Sequence, residues 1–458
     1  MRRLLLLPFL IIAAFGETHQ ATGVKVGEID QDSAIVWMRV TRDPARNKSG
    51  EIRKGAWKLL PPGTDVASLE GAAPGAPGRV RFRWSTVEDM SKAETTSWVA
   101  VSAERDYSHQ FRVAGLVPDT KYFFSAETSS EDGNQAHDPL RGSFRTKPRD
   151  DQPTEVTFTV ITGMMYKDLD DPDGFKIFQS MLKVAPSFIV PTGDNVYYDN
   201  EDPRANSIAA ARYHWQRMFS LPRLVAFHLQ VPGYWEKDDH DTIFDDCWPT
   251  MNLKQVLPFT FQDGRRIFLE QVPMGDRTYR TIRWGRDLQI WLTEGRDFRS
   301  PNDAPDGPEK TIWGPEQKRW LKTSLLESQA RWKLLISPTP IVGPDRVKKG
   351  DNHSNQAFTH EGGEFRKWAA TNLPGNFFVA CGDRHWQYHS VDPETKLQEF
   401  SSGPASDEHA AGSPGESKEY HRFHRVKGGF LSVSVKQSRI SFRFHDVQGN
   451  VVYEWHTP

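Results

Sequence analysis

The sequence is poor in cysteine and has no excess of charge of either sign. Its two cysteines, Cys247 and Cys381, are too few for a disulfide scaffold in a chain of 458 residues. The 58 lysine and arginine residues nearly balance the 60 aspartate and glutamate residues, so the net charge does not indicate binding to nucleic acid or to an acidic membrane. Apolar residues make up 37% of the chain, which excludes a disordered protein. Long apolar runs beyond the N-terminus are lacking, which excludes a multi-span membrane protein.

The one long apolar run lies at the start of the chain. Arg2 and Arg3 precede an apolar segment that is too short to span a bilayer, and Ala14 and Gly16 form the small-x-small pattern that a signal peptidase needs. Residues 1–16 therefore predict a secretory signal peptide, and we expect the mature protein in a periplasm or outside the cell. An N-terminal membrane anchor is the alternative, and the paired arginines leave the general and twin-arginine export routes open.

The length of the chain predicts two or three domains. Residues 21–147 have the pattern of an all-β domain, with apolar and polar residues alternating in runs such as 80–84. The run Leu-x-Pro-x-Thr-x-Tyr at residues 116–122 resembles the tyrosine corner of fibronectin-like β-sandwiches, in which the tyrosine hydroxyl bonds to the backbone just upstream. We therefore predict an N-terminal β-sandwich, and none of its residues has the pattern of a catalytic group.

Strand and helix patterns alternate in residues 154–458, as they do in an α/β domain. Strands are predicted at residues 156–162, 188–192, 333–337 and 377–381, helices at 175–183 and 313–328, and β-hairpins at 428–455. The strands end in polar or glycine-rich turns. In open α/β sheets, ligands bind beyond the carboxyl ends of the strands, and we therefore expect the functional site there.

Possible metal ligands follow two of these strands. Asp194 comes directly after the strand at 188–192, with Tyr197 three residues later, and Asp383 and His385 follow the strand at 377–381. A carboxylate just past a buried strand is held rigidly and can bridge two cations. A phenolate can bind a hard trivalent metal, and Asp and His two residues apart can face one ion. Each motif alone is equally consistent with an ordinary strand-to-loop turn.

A dense acidic cluster lies between these two motifs. Asp238, Asp239 and Asp241 surround His240, and Asp245 follows shortly after. Carboxylates this close in sequence repel one another unless cations neutralise them, which indicates metal binding. An exposed acidic loop is the alternative explanation of the same composition.

Two arginines offer a possible phosphate contact. Arg296 and Arg299 stand three residues apart beside an acidic residue. A guanidinium group matches phosphate oxygens bidentately, which favours an anion-binding role. A surface salt-bridge network is equally consistent with this pattern.

The order and spacing of these motifs resemble those of the PhoD-type alkaline phosphatases and phosphodiesterases, which belong to the calcineurin-like metallophosphatase superfamily. The matching patterns are Gly-Asp-x-x-Tyr, Asp-Asp-His-Asp, Gly-x-Glu-Gln-x-x-Trp-Leu and Gly-Asp-x-His, which begin at Gly193, Asp238, Gly314 and Gly382. The resemblance covers nearly the whole mature chain. It implies an α/β protein in which a fibronectin-like β-sandwich precedes a four-layer α/β/β/α metallophosphatase domain with a two-metal site at the strand ends.

The resemblance also implies a role for each matching residue. The metal ligands would be Asp194, Tyr197, Asp239, Asp245, Asp383 and His385. Asp194 would bridge two ions, and Tyr197 would bind the ion that is usually ferric iron. The catalytic residues would be His240, Arg296 and Arg299. Because the ligand set is rich in oxygen atoms, it suits calcium, and the implied cofactors are two or more metal ions, Ca²⁺ with Fe³⁺.

The chain departs from the family pattern at one ligand. Family members carry a cysteine ligand after the first catalytic strand, and Gly163 stands at that position here. Because glycine has no side chain to offer, the iron site loses a ligand, or water or a nearby group replaces it. Asp168, Asp170 and Asp171 are within sequence reach, although their pattern favours an exposed acidic turn. The identity of the iron is therefore in doubt.

The resulting hypothesis is a secreted or periplasmic hydrolase of phosphate esters that uses a metal-activated water at a two-metal site. Its partner would be a small-molecule or polymeric phosphate ester, with monoesters and diesters both open, and we expect no nucleic-acid-binding domain and no stable membrane span after signal removal. The alternative, which the glycine at position 163 motivates, is a catalytically degenerate metal-binding or adhesion protein on the same fold.

Overall fold

The computed structural model describes residues 17–52, 59–61, 63–354, 356–436 and 439–458. The N-terminal strands are β1 Lys25–Gly27, β2 Ser33–Arg39, β3 Gly78–Ser85, β4 Glu94–Thr95, β5 Val99–Val101, β6 Ser108–Ala114, β7 Lys121–Ser129 and β8 His137–Arg145. One sheet has the order β1-β2-β6, and a second has the order β4-β3-β7-β8, with β5 paired to β3. These two sheets form the β-sandwich.

The tyrosine corner predicted for this sandwich is confirmed. The Tyr122 hydroxyl accepts a hydrogen bond of 2.9 Å from the backbone N–H of Val117. The alternation predicted for residues 80–84 is also present, because β3 buries every second residue along most of its length. Phe82 and Phe124 pack in the core with ring centroids 5.4 Å apart.

The remaining elements build the α/β region. Its helices are α1 Lys176–Val184, α2 Ile208–Phe219, α3 Pro222–His228, α4 Phe261–Gln271, α5 Gly314–Glu327 and α6 Thr359–Asn372. Its strands are β9 Val156–Ile161, β10 Phe188–Pro191, β11 Arg280–Trp284, β12 Leu288–Leu292, β13 Trp332–Ser337, β14 Phe377–Cys381, β15 Gln387–Val391, β16 Gln398–Ser402, β17 His421–Arg425, β18 Phe430–Lys436, β19 Arg439–His445 and β20 Val451–His456. They form sheets of order β10-β9-β18-β19-β20 and β11-β12-β13-β14-β16-β15-β17.

These elements stack in four layers. The two sheets face each other across a shared apolar core, in which the stacked rings of Phe400 and Phe442 lie 3.9 Å apart. Helices α1 to α4 pack on the outer face of the first sheet, and α5 and α6 pack on the outer face of the second. The predicted fold, a β-sandwich followed by an α/β/β/α region, is confirmed.

Several predicted elements appear close to their expected bounds, and others were missed. The hairpins expected at 428–455 are β18 to β20, and β18 pairs antiparallel with β9, which makes it a central strand of the first sheet. Helix α2 escaped prediction because nine of its twelve residues are buried, which removes the contrast between an apolar and a polar face. The domain bounds 21–147 and 154–458 stay a prediction.

The sandwich and the α/β region share an extensive polar and aromatic contact. The indole N–H of Trp37 donates to the backbone carbonyl of Glu270 at 2.7 Å, and Lys25 donates to that of Gln271 at 2.8 Å. The Lys25 ammonium also lies 3.6 Å from the centre of the Trp37 ring. The end of α4 is thereby fixed to the sandwich.

The predicted signal peptide at residues 1–16 lies outside the described residues. In the described ranges, none of the helices is long and apolar enough to cross a membrane.

His228, at the end of α3, makes the stability of the protein sensitive to acid. It packs against Trp235, Phe227 and Phe219, with ring centroids 5.2 to 5.8 Å away. Burial, with a smaller contribution from Lys25, lowers the pKa of His228 to about 3. Because the unfolded histidine titrates near pH 6.5, acid favours the unfolded chain below that pH, and wild-type stability falls as the pH drops.

Substitution of His228 by glutamine should remove this acid sensitivity. Between pH about 6.5 and about 5, the wild type should lose about 1.5–2 kcal/mol of unfolding free energy that the variant does not lose. Urea unfolding across this pH range measures the difference. The exposed His456→Gln variant is the control, and an unchanged slope in His228→Gln would contradict the expectation.

Candidate metal centre

The centre lies at the carboxyl ends of strands from both α/β sheets. Asp194 follows β10, and Asp383 follows β14. Both aspartates have left-handed backbone, with φ of +54° and +60°, which Asp tolerates better than most residues and which is common at functional turns. Gly193 has φ +97°, and a Cβ atom there would lie 2.5 Å from Cβ of Asp238. A glycine at 193 is therefore needed for the acidic segment to approach the strand end.

Five of the acidic and histidine side chains converge at this edge. Asp194 can place a ligand atom within 4.8 Å of ligand atoms of Asp239 and His240, and it does the same with Asp238 and Asp383. All five are buried. Asp194 is the residue common to the two groups, which is the arrangement expected of a carboxylate between two cations.

Asp194 is a buried carboxyl in acidic surroundings. Its Oδ1 is buried and has no hydrogen-bond partner among the residues that the structure describes. Burial raises the pKa of Asp194 well above its ordinary value, and Asp239 and Asp238 raise it further, although His240 opposes them. Oδ2 of Asp238 is likewise buried without a partner in the described part of the chain. Such groups are costly unless a cation meets them, so the donor set fits a metal ion.

Hydrogen bonds tie the acidic segment to the loop after β10. Asp241 accepts from the backbone N–H of Asp238 at 2.7 Å through one oxygen, and from the side-chain amide of Asn195 at 2.6 Å through the other. The Asn195 amide also donates to the Glu236 carbonyl at 3.1 Å. Because its oxygens are occupied in this way, Asp241 serves as a structural link between the two loops.

His240 is oriented by a carboxylate that the sequence analysis did not identify. Its Nδ1 lies 2.7 Å from Asp199 Oδ1, and its Nε2 lies 3.8 Å from Asp245 Oδ1. Burial would lower the pKa of His240, but Asp199, Asp239 and Asp194 outweigh burial and raise it well above its ordinary value. Asp245 is exposed, unlike the other predicted ligands, and forms a third acidic group with Asp239 and Asp246.

Tyr197 is fully buried at the same edge. Its hydroxyl donates to Asp194 Oδ2 at 3.1 Å and lies 2.9 Å from Nε2 of His409. The ring of His385, which is half-buried, lies 4.0 Å from the His409 ring. Burial, with Asp194, raises the pKa of Tyr197 well above its ordinary value, so the phenol stays protonated unless a cation ionises it.

The two predicted arginines are both buried and differ in their contacts. Arg296 donates to Asp238 Oδ1 at 2.5 Å, and its guanidinium also lies 3.7 Å from Asp239 Oδ2. Arg299 donates to the Asp351 carbonyl at 2.7 Å, and burial, with Arg296, lowers its pKa to about 10. Arg296 thus touches the acidic cluster directly, whereas Arg299 contacts a neighbouring loop.

The acidic turn predicted to be exposed is instead held by the fold. Asp168, Asp170 and Asp171 are each partly buried. Asp168 lies 2.8 Å from Nδ1 of His409, Asp170 accepts from the Lys176 backbone, and Asp171 pairs with an arginine. Asp170 and Asp171 lie in a partly exposed turn, as predicted in part, whereas Asp168 is engaged by His409.

The cysteines take no part in the centre. Cys247 and Cys381 are both buried, and burial raises the pKa of each thiol. Both are free, and within the described ranges neither forms a disulfide. Cys381 lies in the apolar strand β14, and the Cys247 thiol lies 3.8 Å from the backbone carbonyl of Asp239, so neither thiol is exposed to solvent.

The family models match both parts of the chain. Residues 158–427 match the model of the PhoD-like phosphatases, and residues 11–148 match the model of the N-terminal domain of PhoD-like phosphatases. Purple acid phosphatase 4 from Arabidopsis thaliana is 23% identical over 297 residues, which are 59% of this chain and 74% of the relative.

Solved structures show the same architecture. The structure of PhoD has a TM-score of 0.73 at 15% identity and covers 94% of this chain and 88% of its own. The purple acid phosphatase PPD1 from yellow lupin (Lupinus luteus) has a TM-score of 0.63 at 11% identity, covering 95% of this chain and 73% of its own. At these identities the likeness concerns the fold alone. The matched family model spans more than half of the chain, and the protein therefore belongs to the PhoD-like phosphatase family of metal-dependent phosphoric ester hydrolases.

Proposed function

We propose that this protein hydrolyses phosphate esters at a centre of two or more metal ions held between Asp194 and its neighbours. The observation that carries the proposal is the buried Asp194 Oδ1, which has no partner within the described chain and is shared by two clusters of ligand atoms. A structural aspartate would have both oxygens hydrogen-bonded, as Asp241 does. Export, predicted from residues 1–16, is part of the same proposal.

The proposed metal ligands are Asp194, Tyr197, Asp239, Asp245, Asp383 and His385, to which the structure adds Asp238 as a candidate. When bound, the ions supply positive charge for phosphoryl oxygens and lower the pKa of a bound water. The carboxylate oxygens suit Ca²⁺, and the phenol of Tyr197 suits Fe³⁺ once ionised. The five carboxylates and the phenol of the set favour hard cations over soft ones.

His240 is the proposed proton donor to the leaving alkoxide. Asp199 holds its Nδ1 at 2.7 Å, which fixes the ring and leaves Nε2 available to the substrate. Asp199, which is not among the proposed metal ligands, raises the pKa of His240 and so favours the protonated imidazole that a general acid needs before transfer. The rings of His240 and Tyr197 are in contact, with their centres 4.3 Å apart and their planes at 31°, which helps to hold the imidazole at the edge of the centre.

Arg296 and Arg299 are proposed to support the charge that develops on the phosphoryl group. Arg296 contacts Asp238 and Asp239, so it also sets the charge balance of the ligand cluster. Arg299 positions the loop that carries Asp351. A guanidinium that is held by carboxylates and aimed at a site requires no reorganisation when charge develops there.

The test is hydrolysis of a chromogenic phosphate monoester and its diester by the purified full chain. Removal of metal ions by a chelator should lower turnover by about 10³-fold or more, and refilling should restore it. Refilling separately with Ca²⁺, Fe³⁺, Mn²⁺ and Zn²⁺ identifies the ions that support activity. The ratio of monoester to diester turnover assigns the substrate class.

Thermal unfolding before and after chelation is the control for loss of fold. Turnover that is insensitive to chelation would overturn the metal-dependent mechanism. Tight metal binding without turnover of either ester would indicate the degenerate metal-binding protein that Gly163 suggests.

A further inference from the structure

The ring of His409 lies against Gly163. A Cβ atom placed on Gly163 would be 3.2 Å from Cδ2 of His409, and Gly163 has φ +61°. Most side chains at this position would be strained and would also press on the imidazole ring. The glycine that removes an expected thiolate therefore lets a histidine ring pack in the same place.

Nε2 of His409 faces groups that can bind metal. It lies 2.9 Å from Tyr197 Oη, and that hydroxyl lies 3.1 Å from Asp194 Oδ2. His385 lies beside it, with its ring centre 4.0 Å from that of His409. The phenol oxygen of Tyr197 therefore lies next to an imidazole nitrogen on one side and a carboxylate oxygen on the other, and each of the three atoms is of a kind that commonly binds metal.

Asp168 fixes the orientation of this ring. Its Oδ2 lies 2.8 Å from Nδ1 of His409, and its backbone carbonyl accepts from the Ser406 hydroxyl at 2.7 Å. The second contact ties the loop that carries His409 to the turn after β9. A carboxylate on one imidazole nitrogen is the usual support for a histidine whose other nitrogen binds a metal ion.

The hydroxyl of Tyr197 lies between two acceptors. When Nδ1 of His409 donates to Asp168, its Nε2 has a lone pair that faces this hydroxyl. Tyr197 has one hydroxyl hydrogen, which serves either Nε2 of His409 or Oδ2 of Asp194 at a time. A cation bound at Nε2 accepts its lone pair, and a further proton in this group is the competing arrangement.

We propose that His409 binds a metal ion through Nε2, with Asp168 as its positioning residue, and takes the place of the thiolate absent at Gly163. This inference rests on the proposed function, because it concerns the same centre. It also explains how a chain without the cysteine keeps a complete ligand set.

The test titrates Co²⁺ into the metal-stripped full chain, followed by calorimetry and by visible absorption, which reports the number of ligands around Co²⁺. His409→Ala should bind one ion fewer than the wild type or bind it more than about 100-fold more weakly, with an altered spectrum. Asp168→Asn should weaken the same ion about 10–100-fold without changing the number of ions. The control is His389→Asn, a buried histidine of β15 that contacts Tyr453 and Gln398.

A rescue variant separates a ligand from a merely structural residue. In His409→Ala, the added substitution Gly163→Cys gains the space of the lost ring but keeps the strain of a left-handed backbone. A thiolate bound to Co²⁺ should nevertheless restore part of the lost affinity, with a new near-ultraviolet charge-transfer band. Unchanged Co²⁺ stoichiometry, affinity and spectrum in His409→Ala would overturn the inference and leave the proposed function standing. No Co²⁺ binding by the wild type would overturn both.

Discussion

Replacement of Asp194 by asparagine should lower kcat/KM for a phosphate monoester by about 10³-fold or more. Asp194 contributes ligand atoms both to the group with Asp239 and His240 and to the group with Asp238 and Asp383. Asparagine has nearly the same shape but lacks the charge, so both cation positions lose attraction in a single step. The loss should appear in kcat as well as in KM, because the ions act on the reacting atoms.

The same substitution should stabilise the metal-free protein. Oδ1 of Asp194 is buried without a partner in the described ranges, and burial raises the pKa of this carboxyl well above its ordinary value. An amide is neutral without taking up a proton, so it avoids the cost that the raised pKa of Asp194 represents at neutral pH, and we expect the free energy of unfolding to rise by about 1–3 kcal/mol. Added Ca²⁺ or Mn²⁺ should raise the Tm of the wild type and should not raise that of the variant.

Asp106→Asn provides a matched control for a buried aspartate. Asp106 lies in the sandwich, where it pairs with Arg39 at 2.9 Å and accepts from Gln216. Its loss should lower stability and leave the turnover and the metal-induced Tm shift intact. Full activity of Asp194→Asn would be incompatible with the proposed centre.

The residues that form the core of the centre could be predicted because each stands in a local sequence pattern. A buried strand followed by Gly-Asp is visible in the sequence at both Asp194 and Asp383, and ligands of α/β sheets bind beyond the carboxyl ends of such strands, which here belong to two facing sheets. The acidic run that contains Asp239 and His240 could be found in the same way. These residues converge in the structure, although their roles stay proposals.

The partners of these residues could not be predicted because they are distant in sequence. Asp168 and His409 are 241 positions apart and Asp199 and His240 are 41 apart, and no spacing rule joins such pairs. The two side chains of each pair come together only because of the paths of the loops after β9, β10 and β16. A glycine in place of an expected ligand was the available signal, and it indicated a replacement without identifying His409.

Asp351 is a further residue whose importance could not be predicted from the sequence of its loop. Asp351→Asn should lower the free energy of unfolding by about 3–5 kcal/mol. Its carboxylate is fully buried, with Oδ2 3.4 Å from Arg296, 3.8 Å from Lys349 and 3.9 Å from Arg384. Burial alone would raise the pKa of Asp351, but these three cations outweigh burial and hold the pKa well below its usual range. Loss of the charge leaves three cations in or near the interior with less compensation.

The stability that the Asp351 carboxylate contributes should fall at low pH. Because the folded pKa of Asp351 lies below the unfolded value of about 3.9, its contribution is complete above that pH and is lost as the pH falls further. The stability difference between the wild type and Asp351→Asn should therefore stay constant from neutral pH to pH about 5 and shrink below pH about 4. Urea unfolding at several pH values measures this difference. Asp119→Asn, which breaks an exposed ion pair with Arg145, should cost at most about 1 kcal/mol.

A second substitution tests whether uncompensated charge is the cause. Lys349→Met in the Asp351→Asn background removes one of the cations that lost a carboxylate neighbour, although Lys349 also pairs with Asp246. The two changes together should cost about 1–3 kcal/mol less than the sum of the single changes. Purely additive costs would instead indicate lost packing. Arg296 contacts both Asp351 and Asp238, so stability and metal affinity should fall together in Asp351→Asn. A buried cation network that neutralises the acidic cluster from one side would explain why this many carboxylates can be gathered at one sheet edge without unfolding the metal-free chain.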